Sequence, residues 1–176
     1  ILDFSGLETG KLNFIFKETD INGLCEQVMA TTAHIRKVGI EYRFEPGESS
    51  LSVRTDSHRL SQVLLNLLTN ANKFTESGSI LLKYEVIHAG GKIRKADNSG
   101  YTTDCILFSV TDTGQGIQKD HHKHLFERFG KLNSFKQGAG LGLAISKQIV
   151  NRLGGKIWID SDYEDGARFK IGRAHV

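Results

Sequence analysis

The sequence predicts an α/β (α+β) two-layer sandwich, in which a mixed, largely antiparallel sheet is covered by about three helices. Three observations support this prediction. Residues 56–74 form one long amphipathic helical pattern, strand patterns on both sides of it are joined by glycine-containing turns, and a second apolar helical pattern follows a glycine-rich segment near residue 138. The length of 176 residues suits one domain with a single core.

The composition excludes several classes of protein. The formal net charge of +3 is too small to indicate nucleic acid binding, so we expect no nucleic acid partner. No apolar run approaches the roughly 20 residues that span a bilayer, and no signal-peptide pattern opens the chain. We therefore expect a cytoplasmic segment, whose parent protein can still be membrane-anchored. Cys25 and Cys105 lack metal-like spacing, and we expect buried free thiols in a reducing compartment.

The N-terminal segment has two parts. Residues 1–12, ILDFSGLETGKL, begin in the middle of an apolar pattern and end in a turn that contains glycine. We expect them to be the end of an element from a longer chain. Leu12, Phe14 and Phe16 then alternate with polar residues, which predicts a short strand over residues 12–19.

A helix and two strands are predicted next. Asp20 is the expected N-cap of a helix whose apolar residues recur at helical spacing and which ends at Gly39. Strands are predicted near residues 40–44 and 51–54, where β-branched and aromatic residues flank a turn that contains Pro46.

The clearest element is the helix that follows Asp56, a good N-cap residue. Its apolar residues fall within a stripe about 80° wide, which predicts a core face. Asn66, Asn70 and Lys73 form a second stripe beside it, at i, i+4 and i+7. Because asparagine is a poor helix former, two of them bordering the core indicate a function rather than a solvated flank. The core stripe consists of Leu60, Leu64, Leu67, Ala71 and Phe74.

The C-terminal half alternates strands with glycine-rich turns. Gly78 begins a predicted hairpin whose strands, 80–87 and 105–111, are separated by a polar loop. A helix over 143–153 and a hairpin of strands 156–160 and 167–171 follow. The last four residues, 173–176, extend no pattern, and we expect them to be an appended tail.

Two glycine-rich turns, at 112–117 and 138–143, predict a phosphate-binding site. Glycine lets a backbone or a ligand approach closely, and a glycine-rich turn that leads into a helix presents N–H groups to an anion. The polar, basic segment between the turns suggests a mobile cover over a nucleotide. The second turn, GAGLGL, lacks the lysine of a Walker A loop and does not directly follow a strand, as a dinucleotide-binding fingerprint would.

Four motifs, in this order, resemble those of a known family: NLLTNANKF (66–74), DTGQGI (112–117), FERF (126–129) and GAGLGL (138–143). They are similar to the N, G1, F and G2 boxes of the catalytic, ATP-binding (HATPase) domain of bacterial-type sensor histidine kinases. That domain has the Bergerat (GHKL) fold, which gyrase, mismatch-repair ATPases and the ninety-kilodalton heat-shock chaperones share. Residues 1–12 resemble the end of the dimerisation/phosphoacceptor helix and its linker, and residues 13–172 resemble the catalytic domain.

The resemblance implies a site for ATP and Mg²⁺. Asn70 would coordinate Mg²⁺ through its amide oxygen, and Asn66, one turn earlier, would support the metal or phosphate shell. Lys73 would neutralise phosphate charge as a point cation. Lys131, which matches the family's basic position better than Arg128, would meet the γ-phosphate.

The resemblance also implies contacts to the base. Asp112 would accept a hydrogen bond from the adenine 6-amino group and would reject GTP, because guanine presents an acceptor at that position. The other implied nucleotide contacts are Gly114, Gly116, Ile117, Phe129, Gly138, Gly140, Leu141, Gly142 and Leu143.

The segment between the two turns contains aromatic and histidine residues. Phe126 and Phe129, at i and i+3, would anchor the lid to the core or meet the phosphoacceptor domain. His121, His122 and His124 are too closely spaced for metal ligation, and we expect them to be solvated.

The resemblance implies phosphotransfer rather than rapid hydrolysis. In the related ATPases a glutamate one turn before the Mg²⁺-binding asparagine acts on water; Asn66 stands there, and an amide cannot act as a base. The family's phosphoacceptor histidine, which precedes an acidic residue and a nearby proline, is not found, since the only proline, Pro46, has no histidine beside it. We therefore expect a histidine kinase catalytic domain that cannot autophosphorylate alone. Its expected partners are its own phosphoacceptor/dimerisation domain and a response regulator, with a homodimeric parent and a monomeric fragment.

Three alternatives remain open: a nucleotide-binding interaction module without phosphotransfer, a gyrase- or chaperone-like ATPase, and a serine kinase of the anti-sigma type. Two departures from the family pattern also matter. Ala167 and Arg168 stand where a Ser/Thr pair usually precedes the last phenylalanine, which predicts weaker affinity for the base. Gly130 replaces a bulkier residue of the F box, which predicts a looser lid.

Overall fold

A computed structural model describes residues 13–88, 104–127 and 139–174, without the side chains of 139–141 and 173–174. The predictions for residues 1–12 and for the loop after residue 88 fall largely outside these ranges. The elements are β1 (Lys17–Asp20), α1 (Ile21–Thr31), a 3₁₀ turn (Ala33–Ile35), β2 (Ile40–Glu45), β3 (Ser52–Thr55), α2 (Ser57–Phe74), β4 (Gly78–Ile87), β5 (Cys105–Asp112), a 3₁₀ helix (Lys119–His124), α3 (Ala139–Arg152), β6 (Gly155–Ile159) and β7 (Ala167–Ala174).

The main sheet has five strands in the order β2-β4-β5-β7-β6. β2 runs parallel to β4, and the other neighbouring strands are antiparallel. β3 does not pair with β2, although only a short loop separates them; it pairs with β1 in a small antiparallel sheet. The predicted mixed, largely antiparallel sheet covered by about three helices is therefore confirmed, with three α-helices in the described residues.

The core forms where α2 and the other helices cover the sheet. The predicted stripe of α2 is buried, with Leu64 0% and Leu67 1% exposed, and each fully buried leucine contributes about 1.5–3 kcal/mol. Tyr84 of β4 and Phe108 of β5 belong to the same core cluster and are also fully buried. Phe74, at the C-terminal end of the stripe, is only partly buried, because it reaches the rim of a pocket.

The N-terminal end of α2 is capped as predicted. One carboxylate oxygen of Asp56 accepts a hydrogen bond from the N–H of Arg59 at 3.0 Å. The other accepts from the N–H of Ile15 at 2.8 Å. The residue that begins the helix therefore also fixes the segment that leads into β1.

The first predicted strand is present, but it starts later than predicted. The strand begins at Lys17, and Phe14 and Phe16 lie before it, although they contact the core. The guanidinium groups of Arg59 and Arg152 each lie over the ring of Phe14, 5.7 Å from its centroid. The aromatic residues before Lys17 therefore reflect packing against the core rather than strand pairing.

Three other boundaries differ from the prediction. α1 ends at Thr31 rather than at Gly39, because a 3₁₀ turn follows it. At its other end, Asp20 is the N-cap residue as predicted, but its side chain makes no capping hydrogen bond. α3 begins at Ala139, so Gly140 and Gly142 lie within the helix. β7 continues to Ala174, because the last two residues of the strand pair with the start of β5, and so includes two of the four residues expected to form a tail.

Both cysteines are buried free thiols, as predicted. Burial is the main reason that the pKa of Cys25 rises to about 12, and the nearby carboxylates of Glu26 and Asp20 add to this effect. Among the described residues, no helix is both long and apolar enough to cross a membrane.

Candidate active site

A pocket that opens to solvent lies where α2, the end of β5 and the start of β7 meet. Asn70 and Asp112 supply polar groups to its wall, and the rest of the wall is largely apolar. A ligand with a flat apolar body and a few polar edges would fit such a lining. The lining residues are Asn70, Ala71, Phe74, Asp112, Gly116, Ile117, Leu143, Ala167 and Phe169.

Asp112 is the buried carboxylate of this pocket, with 5% of its surface exposed. Its Oδ1 accepts hydrogen bonds from the N–H groups of Gly114 at 2.9 Å and Ala167 at 3.2 Å. Burial raises the pKa of the Asp112 carboxyl, while the two N–H donors and the nearby Thr75 hydroxyl lower it in part. A carboxylate has about four acceptor positions, so Asp112 retains capacity to accept a hydrogen bond from a ligand.

Thr75 lies just after α2 and contributes a buried hydroxyl beside Asp112. The hydroxyl is close enough to lower the pKa of Asp112, but its position falls short of hydrogen-bond geometry, and it has no other partner among the described residues. The family pattern places a hydroxyl at residue 167, which is alanine here. The Thr75 hydroxyl is instead the one close to the Asp112 carboxylate.

The glycines of the first turn are required by close contacts. A Cβ atom on Gly114 would overlap the carbonyl oxygen of Phe74. Gly116 has φ +71°, and a Cβ atom there would lie 3.1 Å from the carbonyl oxygen of Gly166. The N–H of Gln115 donates to the Phe74 carbonyl at 3.2 Å. This turn is therefore fitted between the end of α2 and the β6–β7 turn, and it places Ile117 in the pocket wall.

The three histidines near this turn do not form a metal site. In the parts of the chain that the structure covers, there is no group of three or more histidine, cysteine or acidic residues that could hold a metal ion. His122 instead donates a hydrogen bond from Nε2 to the carbonyl of Ile117 at 2.9 Å. His122 thus supports the pocket wall. The prediction that it is solvated is wrong.

The three residues of the polar stripe of α2 have different surroundings. Asn70 lines the pocket. The side-chain amide of Asn66 donates to the Ser146 hydroxyl at 3.1 Å and occupies the space above the Cα of Gly142, both in α3. Lys73 is exposed, with its ammonium 5.6 Å from the ring centroid of Phe74.

The segment predicted to form a lid, between the two glycine-rich turns, is described only at its two ends. At the first, Phe126 packs edge-to-face on Phe169, with ring centroids 6.2 Å apart, which agrees with its predicted anchoring role. At the second, Leu143 is buried in the pocket wall, while Gly140 and Leu141 contribute backbone to α3. The predictions for Arg128, Phe129, Gly130, Lys131 and Gly138 lie outside the described residues.

Comparison with known proteins identifies the family. Residues 55–175 match the family of histidine kinase-, DNA gyrase B- and HSP90-like ATPases, the HATPase family. The chain belongs to this family. Among HATPase relatives, the autoinducer 2 sensor kinase/phosphatase LuxQ of Vibrio harveyi is 36% identical over 181 residues, which cover 97% of this chain and 20% of LuxQ. The chain therefore spans about a fifth of that relative's length.

Solved structures of histidine kinases share the HATPase fold seen here. Full-length ShkA in complex with AMPPNP superposes with a TM-score of 0.79 and 31% identity, over 98% of this chain and 34% of that one. Histidine kinase ThkA in complex with the response regulator protein TrrA gives a TM-score of 0.70 and 27% identity, over 92% of this chain and 42% of that one. The resemblance to sensor histidine kinases is thus confirmed at the level of family and fold.

One asparagine of this HATPase domain, Asn72, was not singled out from the sequence. It is 8% exposed, its amide nitrogen donates to the carbonyl of Ile35 at 3.1 Å, and its amide oxygen accepts from the Tyr42 hydroxyl. Lys37 completes the contact by donating to the carbonyls of Asn72 at 2.7 Å and Thr75 at 3.0 Å. Asn72 lies about 200° around the helix from Asn70, so it stabilises the end of α2 from outside the pocket.

Replacing Asn72 should therefore destabilise this HATPase domain without changing its pocket. Asn72→Ala leaves the Ile35 carbonyl without its donor and the Tyr42 O–H without its acceptor, although the Tyr42 oxygen still accepts from the N–H of Lys37. We expect a loss of about 1–3 kcal/mol in the free energy of unfolding. Urea denaturation measures this loss. The matched variant Asn70→Ala should change the free energy of unfolding by less than about 0.5 kcal/mol. Equal losses in both variants would contradict the separate roles.

Proposed function

We propose that this chain is the catalytic, ATP-binding domain of a two-component sensor histidine kinase, and that it transfers the γ-phosphate of ATP to a histidine on a separate phosphoacceptor domain. The observation that carries the proposal is Asp112, a buried carboxylate fixed by two backbone N–H groups in the wall of a largely apolar pocket. ShkA, solved with AMPPNP, supports an adenine nucleotide as the ligand.

The base would lie against the apolar wall formed by Ile117, Leu143 and Phe169. Asp112 would accept a hydrogen bond from the adenine 6-amino group. Guanine has a carbonyl oxygen at that position, which would face the buried carboxylate and leave both acceptors without a donor. An unmatched buried polar group costs about 1–3 kcal/mol or more, so we expect ATP to be preferred to GTP.

The phosphates would extend from the base toward α3. The N-terminal turns of a helix offer free N–H groups to an anion, and α3, which begins at Ala139, contributes Leu143 to the pocket wall. Asn70, in the pocket wall, is proposed to hold Mg²⁺ through its amide oxygen. A single protein ligand suits Mg²⁺, which takes its other ligands from phosphates and water and needs no cluster of acidic side chains. When bound, Mg²⁺ would neutralise charge on the phosphate oxygens.

Cations from the chain would complete the phosphate site. Lys73 is exposed beside the pocket lining residue Phe74, and we propose that it meets the phosphates together with Lys131 of the lid. In the transfer step, a ring nitrogen of the acceptor histidine bonds to the γ-phosphorus while the bond from phosphorus to the β–γ bridging oxygen breaks. The products are phosphohistidine and ADP.

Hydrolysis should be slow, because the residue in the position to activate water is an amide. Asn66 cannot accept a proton at neutral pH, and its side chain is already hydrogen-bonded to Ser146 and packed against Gly142. This argues for a domain that holds ATP until an acceptor histidine arrives, and against a gyrase- or chaperone-like ATPase. We propose the phosphoacceptor/dimerisation domain of a homodimeric parent, joined through residues 1–12, as the donor of that histidine. The complex of ThkA with TrrA supports a response regulator as the next acceptor.

Calorimetry followed by phosphotransfer tests the proposal. We expect the chain to bind ATP in preference to GTP, and Mg²⁺ to strengthen binding in the wild type but not in Asn70→Ala. Asn151→Ala, which removes an exposed asparagine of α3, is the control and should behave as wild type. Label from the γ-phosphate of ATP should remain on the nucleotide until the parent's phosphoacceptor domain is added.

Two outcomes would contradict the proposal. Rapid Mg²⁺-dependent release of inorganic phosphate by the isolated chain would indicate an ATPase. ATP binding without transfer to the parent's phosphoacceptor histidine would indicate an interaction module that uses nucleotide only as a ligand.

A further inference from the structure

The turn between β6 and β7, residues 160–166, lies directly behind Asp112. The hydroxyl of Tyr163 donates a hydrogen bond to the backbone carbonyl oxygen of Asp112 at 3.0 Å. Gly166 is packed so closely on the same carbonyl that a Cβ atom at this position would overlap it. The next residue, Ala167, donates its N–H to the Asp112 carboxylate at 3.2 Å. The turn therefore contacts the backbone of Asp112, and the first residue of β7 contacts its side chain.

Arg168 fixes the tyrosine of this turn. Its guanidinium carbon lies 4.2 Å from the centroid of the Tyr163 ring, within the range of a cation–π contact. Its Nε donates to the hydroxyl of Thr111 at 3.0 Å, which anchors it to the strand residue just before Asp112. The guanidinium is thus held between the strand that carries Asp112 and the ring that contacts Asp112.

Asp160 completes the support at the start of the turn. Its Oδ2 is 3.0 Å from Nζ of Lys170 and 3.6 Å from Nη1 of Arg168. The backbone also closes here, because the N–H of Tyr163 donates to the Asp160 carbonyl at 3.3 Å. The same turn also carries an exposed ion pair, between Glu164 of the turn and Lys119. This ion pair does not contact Asp112.

We propose that Tyr163, held in place by Arg168, is a positioning residue that sets the selectivity of the pocket for the 6-amino group of adenine. The inference rests on the proposed function, in which Asp112 accepts from that amino group. Hydrogen bonds weaken steeply when distance or angle departs from its optimum. Tyr163 keeps the Asp112 backbone from moving away from the pocket, and the direction of the carboxylate follows from that backbone.

This role also explains why Arg168 stands where the family usually has a hydroxyl side chain. The hydroxyls missing at residues 167 and 168 suggested weaker affinity for the base. In the structure, the N–H of Ala167 holds the carboxylate and the side chain of Arg168 holds Tyr163. Ala167 and Arg168 therefore remove a side-chain hydroxyl near the base, and they add contacts that hold Asp112 in place.

Two nucleotides distinguish positioning of Asp112 from a general structural effect. Purine riboside triphosphate lacks the 6-amino group but is otherwise identical to ATP. In calorimetry, we expect Tyr163→Phe to bind ATP about 3- to 10-fold more weakly, the loss expected for one misaligned hydrogen bond. Its affinity for purine riboside triphosphate should change by less than about 2-fold, because that ligand makes no bond to Asp112.

Two further variants complete the test. Arg168→Met keeps the aliphatic stem but loses the guanidinium, so it should show the same ATP-selective loss to a smaller extent, and it tests the inference even if Tyr163→Phe folds poorly. Lys119→Met removes the exposed ion pair of the same turn and should leave both affinities unchanged.

The outcomes separate this inference from the proposed function. Equal weakening of both nucleotides, or an unchanged preference for ATP in Tyr163→Phe and Arg168→Met, would overturn the inference alone. If the wild-type chain itself binds the two triphosphates equally, the contact of Asp112 with adenine does not exist, and the proposed base recognition fails first.

Discussion

Asp112→Asn should weaken ATP binding by about 100-fold, equivalent to about 3 kcal/mol. The amide oxygen of the new side chain can still accept from the N–H groups of Gly114 and Ala167, which hold Oδ1 of the aspartate. Its amino group then faces the 6-amino group of adenine, so that two donors meet in a buried site. Calorimetric titration with ATP measures the loss, and titration with GTP should show that the preference for ATP shrinks.

The same substitution should stabilise the nucleotide-free domain. Burial raises the pKa of Asp112, so the folded state holds a proton more tightly than the unfolded state does. The protonated Asp112 carboxyl therefore contributes to the free energy of unfolding. This contribution is fully present below the ordinary pKa of 3.8, and it is lost as the pH rises through the raised pKa of the folded state. At neutral pH the wild type carries a buried charge that asparagine lacks, and we expect Asp112→Asn to melt about 2–4 °C higher. This advantage should disappear as the pH falls below 3.8.

Asp165→Asn provides the matched control, since it makes the same chemical change at an exposed position of the β6–β7 turn. Neither ATP affinity nor melting temperature should change in this variant. If Asp112→Asn also binds ATP normally, Asp112 does not recognise the base, and the nucleotide would have to be oriented by other groups.

Gly114→Ala should reduce both stability and ATP affinity. The added Cβ would overlap the backbone carbonyl oxygen of Phe74 and lie 2.7 Å from Oγ1 of Thr75 and 3.0 Å from Oδ1 of Asp112. A backbone atom at the end of a packed helix cannot rotate away, so the turn must move from α2. We expect a loss of about 1–3 kcal/mol in unfolding free energy and a loss of more than about 10-fold in ATP affinity, because the displaced turn carries the N–H that holds Asp112.

Gly154→Ala separates backbone strain from close contact. Gly154 has φ +83°, but a Cβ there would have nothing within 4 Å. Alanine at this position should cost about 1 kcal/mol through backbone strain alone and leave ATP affinity unchanged. Denaturation and calorimetry on both variants therefore test whether the first turn is a fitted part of the site. Equal ATP affinities in the two variants would show that it is not.

The sequence was a good guide where local patterns are regular. The period of the apolar residues in α2 predicted its ends and its buried face, because a helix buries a fixed stripe whatever it packs on. The strands β4 and β5 were predicted as a hairpin for a similar reason, since alternation and a glycine turn are local properties. Asp112 was found as the residue between a strand and a glycine turn, a position that a motif can specify.

Other features depended on residues far apart in the chain. The apolar residues Phe14 and Phe16 suggested a strand, but they precede β1 and pack against the core. β3 pairs with β1 rather than with its neighbour in sequence. His122 was expected to be solvated, but it supports Ile117. An apolar or polar pattern shows that a side chain has a partner of a given kind, and it does not show which partner.

The three asparagines of α2 show the same division. The sequence by itself determined that Asn66 and Asn70 leave the helix on nearly one side and Asn72 on another, because the helical period fixes the direction of each side chain. Only the tertiary structure decided that Asn66 meets α3, that Asn70 meets the pocket and that Asn72 meets the segment before β2. Tyr163 and Asp112 are likewise joined only by the return of β7 alongside β5, since hydrogen bonds form wherever the folded chain brings a donor to an acceptor.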